Sequence, residues 1–202
     1  MSAATDISTN RLRELYFIRH GETLWSLSGR HTGRTEIPLT PHGEMQAREV
    51  GERLRKLGFS HVLTSPRQRA RQTCELAGLT PPAEIDPDLS EWDYGDYEGL
   101  TTAQIRMQRP KWNVYRDGCP GGETPAQVSD RADCVIARFA AAEGKIALFS
   151  HGQFGCVLAA RWIGLPVTKG QHFSLGPASV NILGYNPGHP EIPVIVRMNT
   201  TP

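Results

Sequence analysis

Leu15-Tyr16-Phe17-Ile18-Arg19-His20-Gly21-Glu22-Thr23 is an apolar run that stops on an arginine and a histidine, with a glycine directly behind them. Apolar residues without alternation mark a parallel strand covered on both faces. Such a strand delivers Arg19 and His20 to its carboxyl end, where Gly21 lets the backbone turn tightly. A second stretch has the same form: Lys145 to Phe149 reads as a buried strand and ends on Ser150-His151-Gly152. Ligands of open α/β sheets collect at the carboxyl ends of strands, so neighbouring placement of these two strands brings His20 and His151 to one site.

Working outward, His61 to Thr64 is a further short strand, and Glu84 to Leu89 a short extended segment. Thr40 is placed as an N-cap with Pro41 in the first turn and Glu44 nearby. The stripe Met45, Ala47, Val50, Leu54 and Leu57 continues that helix to Gly58. Other helices are expected from Ser65-Pro66 to about Leu76, over Thr102 to Gln108, over Pro125 to Ala142 and over Phe154 to Ile163. Ser179 to Tyr185 and Ile192 to Val196 form a hairpin around Asn186-Pro187-Gly188. Residues 21–40 and 109–124 read as loops. The alternation predicts an α/β fold in three layers, α/β/α, with a mostly parallel sheet and helices on both faces. Residues 1–12 are expected to be a flexible tail and 13–202 a single domain.

The 202 residues carry 22 Lys+Arg against 21 Asp+Glu, so no global charge points to nucleic acid or an acidic membrane surface. No window approaches the ~18 apolar residues of a spanning helix. The first 13 residues lack the apolar core of a secretory signal, which makes a cytoplasmic location the expectation. Cys74, Cys119, Cys134 and Cys156 show no paired spacing, which favours reduced thiols over zinc or disulfides.

Thr64 to Thr73 packs Arg67, Arg69 and Arg71 into the first turns of a helix. Cations there oppose the helix dipole unless an anion lies between them and the helix end. Arg67 and Arg71 suit a solvated face, and Arg69 suits the site.

These blocks resemble the histidine phosphatase superfamily, the phosphoglycerate mutase-like proteins. Arg19-His20-Gly21-Glu22-Thr23 is similar to the family's Arg-His-Gly motif, and Thr64 to Thr73 to its second arginine block. Leu89 to Leu100 resembles the block that holds the acid, with Glu91 in that place, and Ser150-His151-Gly152 the second histidine. The resemblance implies a phosphoglycerate mutase-like fold and a phosphohistidine on His20. It also implies phosphoryl binding by Arg19, Arg69 and His151, and proton transfer by Glu91, with Asp93 as rival acid. Such a carboxyl works at neutral pH when burial or a nearby charge raises its pKa. Thr23, Thr32, Gly33, Gly152 and Gln153 fall where relatives line the pocket, and Arg30 and Tyr94 on the substrate side. Trp92 and Tyr97 read as core or wall, while His31, His42, His61, His172 and His189 lie outside the motifs and read as surface or structural. No metal or other cofactor is called for.

The family divides by phosphoryl acceptor. The short Thr101 to Glu123 segment, Ser26 after the first motif and Gln153 after the second histidine depart from the mutase pattern. The blocks Trp25 to Gly33, Glu91 to Gly95 and Arg116 to Cys119 are similar to the subgroup of sedoheptulose bisphosphatase-like proteins and bacterial acid phosphatases. The expectation is hydrolysis of a small phosphorylated metabolite, a sugar phosphate or bisphosphate, with Arg116, Arg30 or Lys111 holding a second anionic group. A cofactor-dependent phosphoglycerate mutase is the alternative, and a non-catalytic phosphate-ligand binding protein a further one. Neither nucleic acid nor a membrane is expected as a partner, and a homodimer is allowed.

Overall fold

The computed structural model describes residues 14–140 and 142–201, so the tail expected over residues 1–12 lies outside the described residues. In chain order the elements are β1 (Glu14–Arg19), α1 (Leu24–Ser28), α2 (Pro41–Leu54), β2 (His61–Thr64), α3 (Gln68–Ala77), β3 (Glu84–Ile85) and α4 (Thr102–Gln108). They continue with α5 (Val114–Asp117), α6 (Pro125–Ala140), β4 (Lys145–Ser150), α7 (Gly152–Trp162), β5 (Val180–Asn186) and β6 (His189–Thr200).

One six-stranded sheet runs in the order β3-β2-β4-β1-β5-β6. β3, β2, β4 and β1 are parallel, and the antiparallel hairpin β5–β6 closes the edge beyond β1. The period of two along a strand divides the core. Leu15 and Phe17 of β1 pack with Ile146 and Leu148 of β4 beneath α4 to α7, while Tyr16, Ile18, Ala147 and Phe149 face α2 and α3. The layers and the mostly parallel sheet are therefore those expected.

Local chemistry sets the helix starts. Thr40 caps α2 through Gly43 N–H at 3.0 Å, with Pro41 at the first turn, and Thr101 caps α4 in a reciprocal capping box with Gln104. Two segments expected as loops contain helix. Thr23 and Ser26 form a capping box that starts α1, and Gly29 ends it at φ 69°. Residues 109–124 hold α5 and bury Trp112, Val114, Tyr115 and Cys119, so they are a packed wall. The extended segment from Glu84 shortens to β3, and Pro87–Leu89 is a 3₁₀ turn started by Asp86.

Candidate active site

Register builds the site. Arg19 of β1 sits opposite Ser150 of β4, so His20 and His151 leave neighbouring strand ends together, their ring centroids 5.3 Å apart. His20 N–H donates to Ser150 carbonyl at 2.9 Å, and Ser65 N–H donates to Phe149 carbonyl, which brings the end of β2 alongside. The turn after His20 needs glycine for close approach. A Cβ on Gly21 would lie 2.5 Å from Gly43 carbonyl oxygen, and a Cβ on Gly43 would lie 2.2 Å from Glu22 carbonyl oxygen. Gly21 N–H is fixed by Thr73 Oγ1 of α3 at 3.0 Å.

His20 is buried, and its Nδ1 lies 2.7 Å from its neighbour's carbonyl, Gly21 O. A carbonyl only accepts, so Nδ1 carries the proton and Nε2 keeps its lone pair. Burial, reinforced by the Arg69 and Arg19 charges, holds the imidazole well below its ordinary 6.5 and therefore neutral. His151 is lowered in the same way, by burial first and then by Arg69, His20, Arg19 and Arg131.

Three buried nitrogens have no hydrogen-bond partner among the described residues: Arg19 Nε, Arg69 Nε and His151 Nδ1. Other atoms of each group are engaged. Arg19 Nη1 donates to Leu175 carbonyl. Arg69 Nη2 donates to the carbonyls of Thr32 (2.8 Å) and Gly33 (3.2 Å), and Nη1 to Thr35 carbonyl at 3.1 Å. His151 Nε2 lies 2.7 Å from Ser65 Oγ, which also accepts the Arg67 N–H. The Ser65 hydroxyl can give its proton to Nε2, and in that tautomer the His151 proton stands on Nδ1, beside the two free guanidinium donors. Burial brings Arg69 down to about 10, which leaves it charged near neutrality. Unpaired buried donors are costly, and two buried guanidinium groups more so, unless an anion completes them.

Glu91 answers these cations from the start of α7. Its Oε1 accepts from Trp92 N–H (2.9 Å) and Phe154 N–H (2.8 Å), and Oε2 from Gln153 N–H (3.0 Å). The segment carrying it is tied down by Arg131 of α6, which donates to the carbonyls of Asp88 (2.8 Å), Ser90 (2.7 Å) and Glu91 (3.4 Å). Arg131 also forks onto Glu123 at 3.0 and 2.9 Å. Asp93, the rival acid, is paired with Arg34 at 2.5 Å and does not line the cavity.

A cavity of about 300 Å³ opens over His20. Of the residues expected at the site, Arg19, His20, Arg30, Thr32, Glu91, Tyr94, Gly152 and Gln153 line it, and the fully buried Arg69 and His151 flank His20. Three do not reach it. Thr23 spends its hydroxyl capping α1, Gly33 N–H donates to both Glu98 carboxylate oxygens, and Arg116 forks onto Asp117 outside the cavity. Sequence reasoning left out Ser26, Thr102, Ser174 and Leu175 among the lining residues, and His31, read as surface or structural, also lines the cavity. His31 is a cavity wall stacked 4.6 Å from Tyr94, bonded to Thr102 Oγ1 at 3.1 Å. Its place beside Arg30 and Thr32 was the one local signal. Among the described residues no group of three or more His, Cys, Asp or Glu is disposed to hold a metal ion.

A lone-pair nitrogen set among cationic donors with nothing to donate to suits an enzyme that takes a phosphoryl group onto histidine. The model of the histidine phosphatase superfamily (branch 1) matches residues 15–200, and the chain belongs to that superfamily. It is 45% identical over 189 residues to an acid phosphatase of Mycobacterium tuberculosis, covering 92% of this chain and 93% of that one. It is 40% identical over 186 residues to the sedoheptulose 1,7-bisphosphatase of Saccharomyces cerevisiae, covering 75% and 68%. The solved structure of the Mycobacterium tuberculosis open reading frame Rv3214 superposes with a TM-score of 0.86 at 42% identity, covering 94% of this chain and 98% of that one. The chain is a phosphatase by this membership.

Proposed function

We propose that the protein hydrolyses the phosphomonoester of a small sugar phosphate or bisphosphate through a phosphohistidine at His20 Nε2. The observation that carries this is the His20 Nδ1 contact with Gly21 carbonyl, which leaves the attacking nitrogen unprotonated beside the free guanidinium donors of Arg19 and Arg69. The Nε2 lone pair attacks phosphorus while the bond to the leaving oxygen breaks, and Glu91 supplies that oxygen with a proton. Water then attacks the phosphohistidine, Glu91 takes its proton, and the P–N bond breaks to release phosphate and neutral His20. Arg19, Arg69 and His151 hold the phosphoryl oxygens throughout.

Hydrolysis is favoured over mutase chemistry by the wall after the acid block. None of Arg106, Arg109, Lys111 or Arg116 lines the cavity, and Arg106 and Arg116 are turned onto Trp112 and Lys111 carbonyls. The reading is completed by residues 13–202 working as one domain in the cytoplasm, without nucleic acid, as a monomer or homodimer. Free Cys74, Cys119, Cys134 and Cys156 support a reducing compartment, and no described helix is long and apolar enough to cross a membrane.

Acid-quench labelling with a phosphodonor, run beside inorganic phosphate release over a phosphosugar panel, tests the proposal. The expected result is an acid-labile phosphoenzyme that is absent in His20→Ala, with phosphate released. Phosphoglycerate isomerisation without phosphate release would establish the mutase instead, and turnover surviving in His20→Ala would overturn the mechanism.

A further inference from the structure

The two buried histidines have partners of opposite kind. At His20 the partner is Gly21 carbonyl, which can only accept, so Nδ1 donates and Nε2 keeps its lone pair. At His151 the partner is a hydroxyl, Ser65 Oγ, 2.7 Å from Nε2. A hydroxyl both gives a proton and receives one, so this contact alone allows either tautomer.

The surroundings of Ser65 remove that freedom. Its side chain is fully buried, and the Arg67 N–H already donates to Oγ at 3.2 Å. Among the described residues, His151 Nε2 is the one acceptor within reach of the hydroxyl. With the imidazole proton on Nε2, Oγ would receive two donors and its own proton would be buried without an acceptor. That tautomer would also leave an unpartnered lone pair on Nδ1 beside Arg19 and Arg69, where it would repel an oxyanion. With the proton on Nδ1 both conflicts vanish.

Ser65 is placed firmly enough to impose the choice. It leaves the end of β2 with its N–H on the carbonyl of Phe149, in the strand that delivers His151. Pro66 behind it confines its backbone to the extended region. Burial keeps both imidazoles neutral, so His151 has a single N–H to offer and the tautomer decides where it points.

We infer that Ser65 is a positioning residue for phosphoryl transfer, donating to His151 Nε2 so that His151 Nδ1–H is left for the phosphoryl oxygens. This rests on the chemistry proposed above. Two like side chains, 5.3 Å apart between ring centroids, thereby take unlike duties: His20 presents a lone pair and His151 a donor.

The test uses the full-length protein carrying nitrogen-15 histidine, at neutral pH and without phosphate. Long-range proton–nitrogen correlation spectra read which ring nitrogen is protonated, and loss of signals in His151→Ala identifies that residue. The expected pattern at His151 is a protonated Nδ1 and a lone pair on Nε2; a proton on Nε2 would overturn the inference, whether or not any variant at Ser65 folds. In Ser65→Ala the ring loses its fixed donor, so the His151 tautomers exchange and its two nitrogen shifts move toward each other, while those of His20 stay. There kcat/KM for phosphate release falls about tenfold, the scale of one lost buried partner. Added to His151→Ala, the same substitution costs less than about twofold, because the residue it acts through is gone. Unmoved His151 shifts in Ser65→Ala, undiminished kcat/KM, or a repeated tenfold loss in the His151→Ala background would each overturn the role. The tautomers are read without turnover, so absence of phosphate release by the unmutated protein would remove the hydrolysis and leave the proton assignment to stand or fall by itself.

Discussion

Glu91→Gln separates the two duties assigned to that carboxyl. Glu91 accepts three backbone N–H bonds through two oxygens, and glutamine keeps one acceptor oxygen and turns an NH₂ toward the other donors. With the oxygen at the Oε1 position, the Trp92 and Phe154 bonds survive and the Gln153 N–H faces another donor. One lost, buried acceptor costs about 1–3 kcal/mol of stability, which a folded domain tolerates. The catalytic cost is larger: loss of general acid–base help is about 10²–10⁴-fold, or about 3–5 kcal/mol on the barrier. That cost is not shared equally between substrates. An alkyl phosphate such as glucose 6-phosphate needs its leaving oxygen protonated, so its kcat/KM falls by the full factor. The p-nitrophenolate of p-nitrophenyl phosphate leaves without a proton, so its kcat/KM falls by less than about tenfold. Its kcat still falls, because the water attacking phosphohistidine has lost its base, and acid-quenched phosphoenzyme accumulates. Steady-state kinetics on both esters with a quench at saturation measure all of this. An equal loss of kcat/KM for the two esters, with no accumulating phosphoenzyme, would refute the assignment of Glu91 as acid and base.

Two further outcomes follow from burial. His20 and His151 are both held well below 6.5, so the unfolded chain takes up protons that the folded one refuses as pH drops through that value. Stability is therefore full above 6.5 and declines below it, while kcat/KM, which needs neutral His20, holds its plateau past 6.5 toward acid. Thermal melts and kcat/KM profiles over pH 4–8 check both signs, and an acid limb at or above 6.5 would contradict the environment described for His20. Arg131→Met strips an ion pair whose side chains are only 13% and 22% exposed and leaves the Asp88 and Ser90 carbonyls unserved. Urea titration is expected to show a loss of about 3 kcal/mol, with kcat falling more than KM rises because Glu91 rides on the same segment.

The strands and the principal helices were legible because their cause is local. A covered strand writes itself as an apolar run, Thr40-Pro41 as a helix start, and a strand-His-Gly ending as a ligand position. Arg19, His20, Arg69 and His151 were read from such patterns and Glu91 from the family resemblance, and the structure brings them together. α1 and α5 escaped notice because each is a single short turn held by caps, Thr23 with Ser26 and Asn113 with Tyr115, in glycine-rich surroundings without periodicity.

Side-chain destination is a different matter, since it depends on partners distant in sequence. Gly33 stands in a plausible position along the chain, yet Glu98 from another segment claims its N–H first, whereas Thr23 and Arg116 are taken by their near neighbours Ser26 and Asp117. His31, with no motif of its own, enters the cavity because Tyr94, Trp112 and Thr102 enclose it from segments more than sixty residues away. Sequence alone thus indicated the architecture, the family and the residues proposed to handle the phosphoryl group, since strand endings and helix starts are local. Tertiary structure decided which imidazole nitrogen is free, which guanidinium groups are left unpaired and which loop residues face the cavity. Those outcomes come from hydrogen-bond competition between segments that only folding brings into contact.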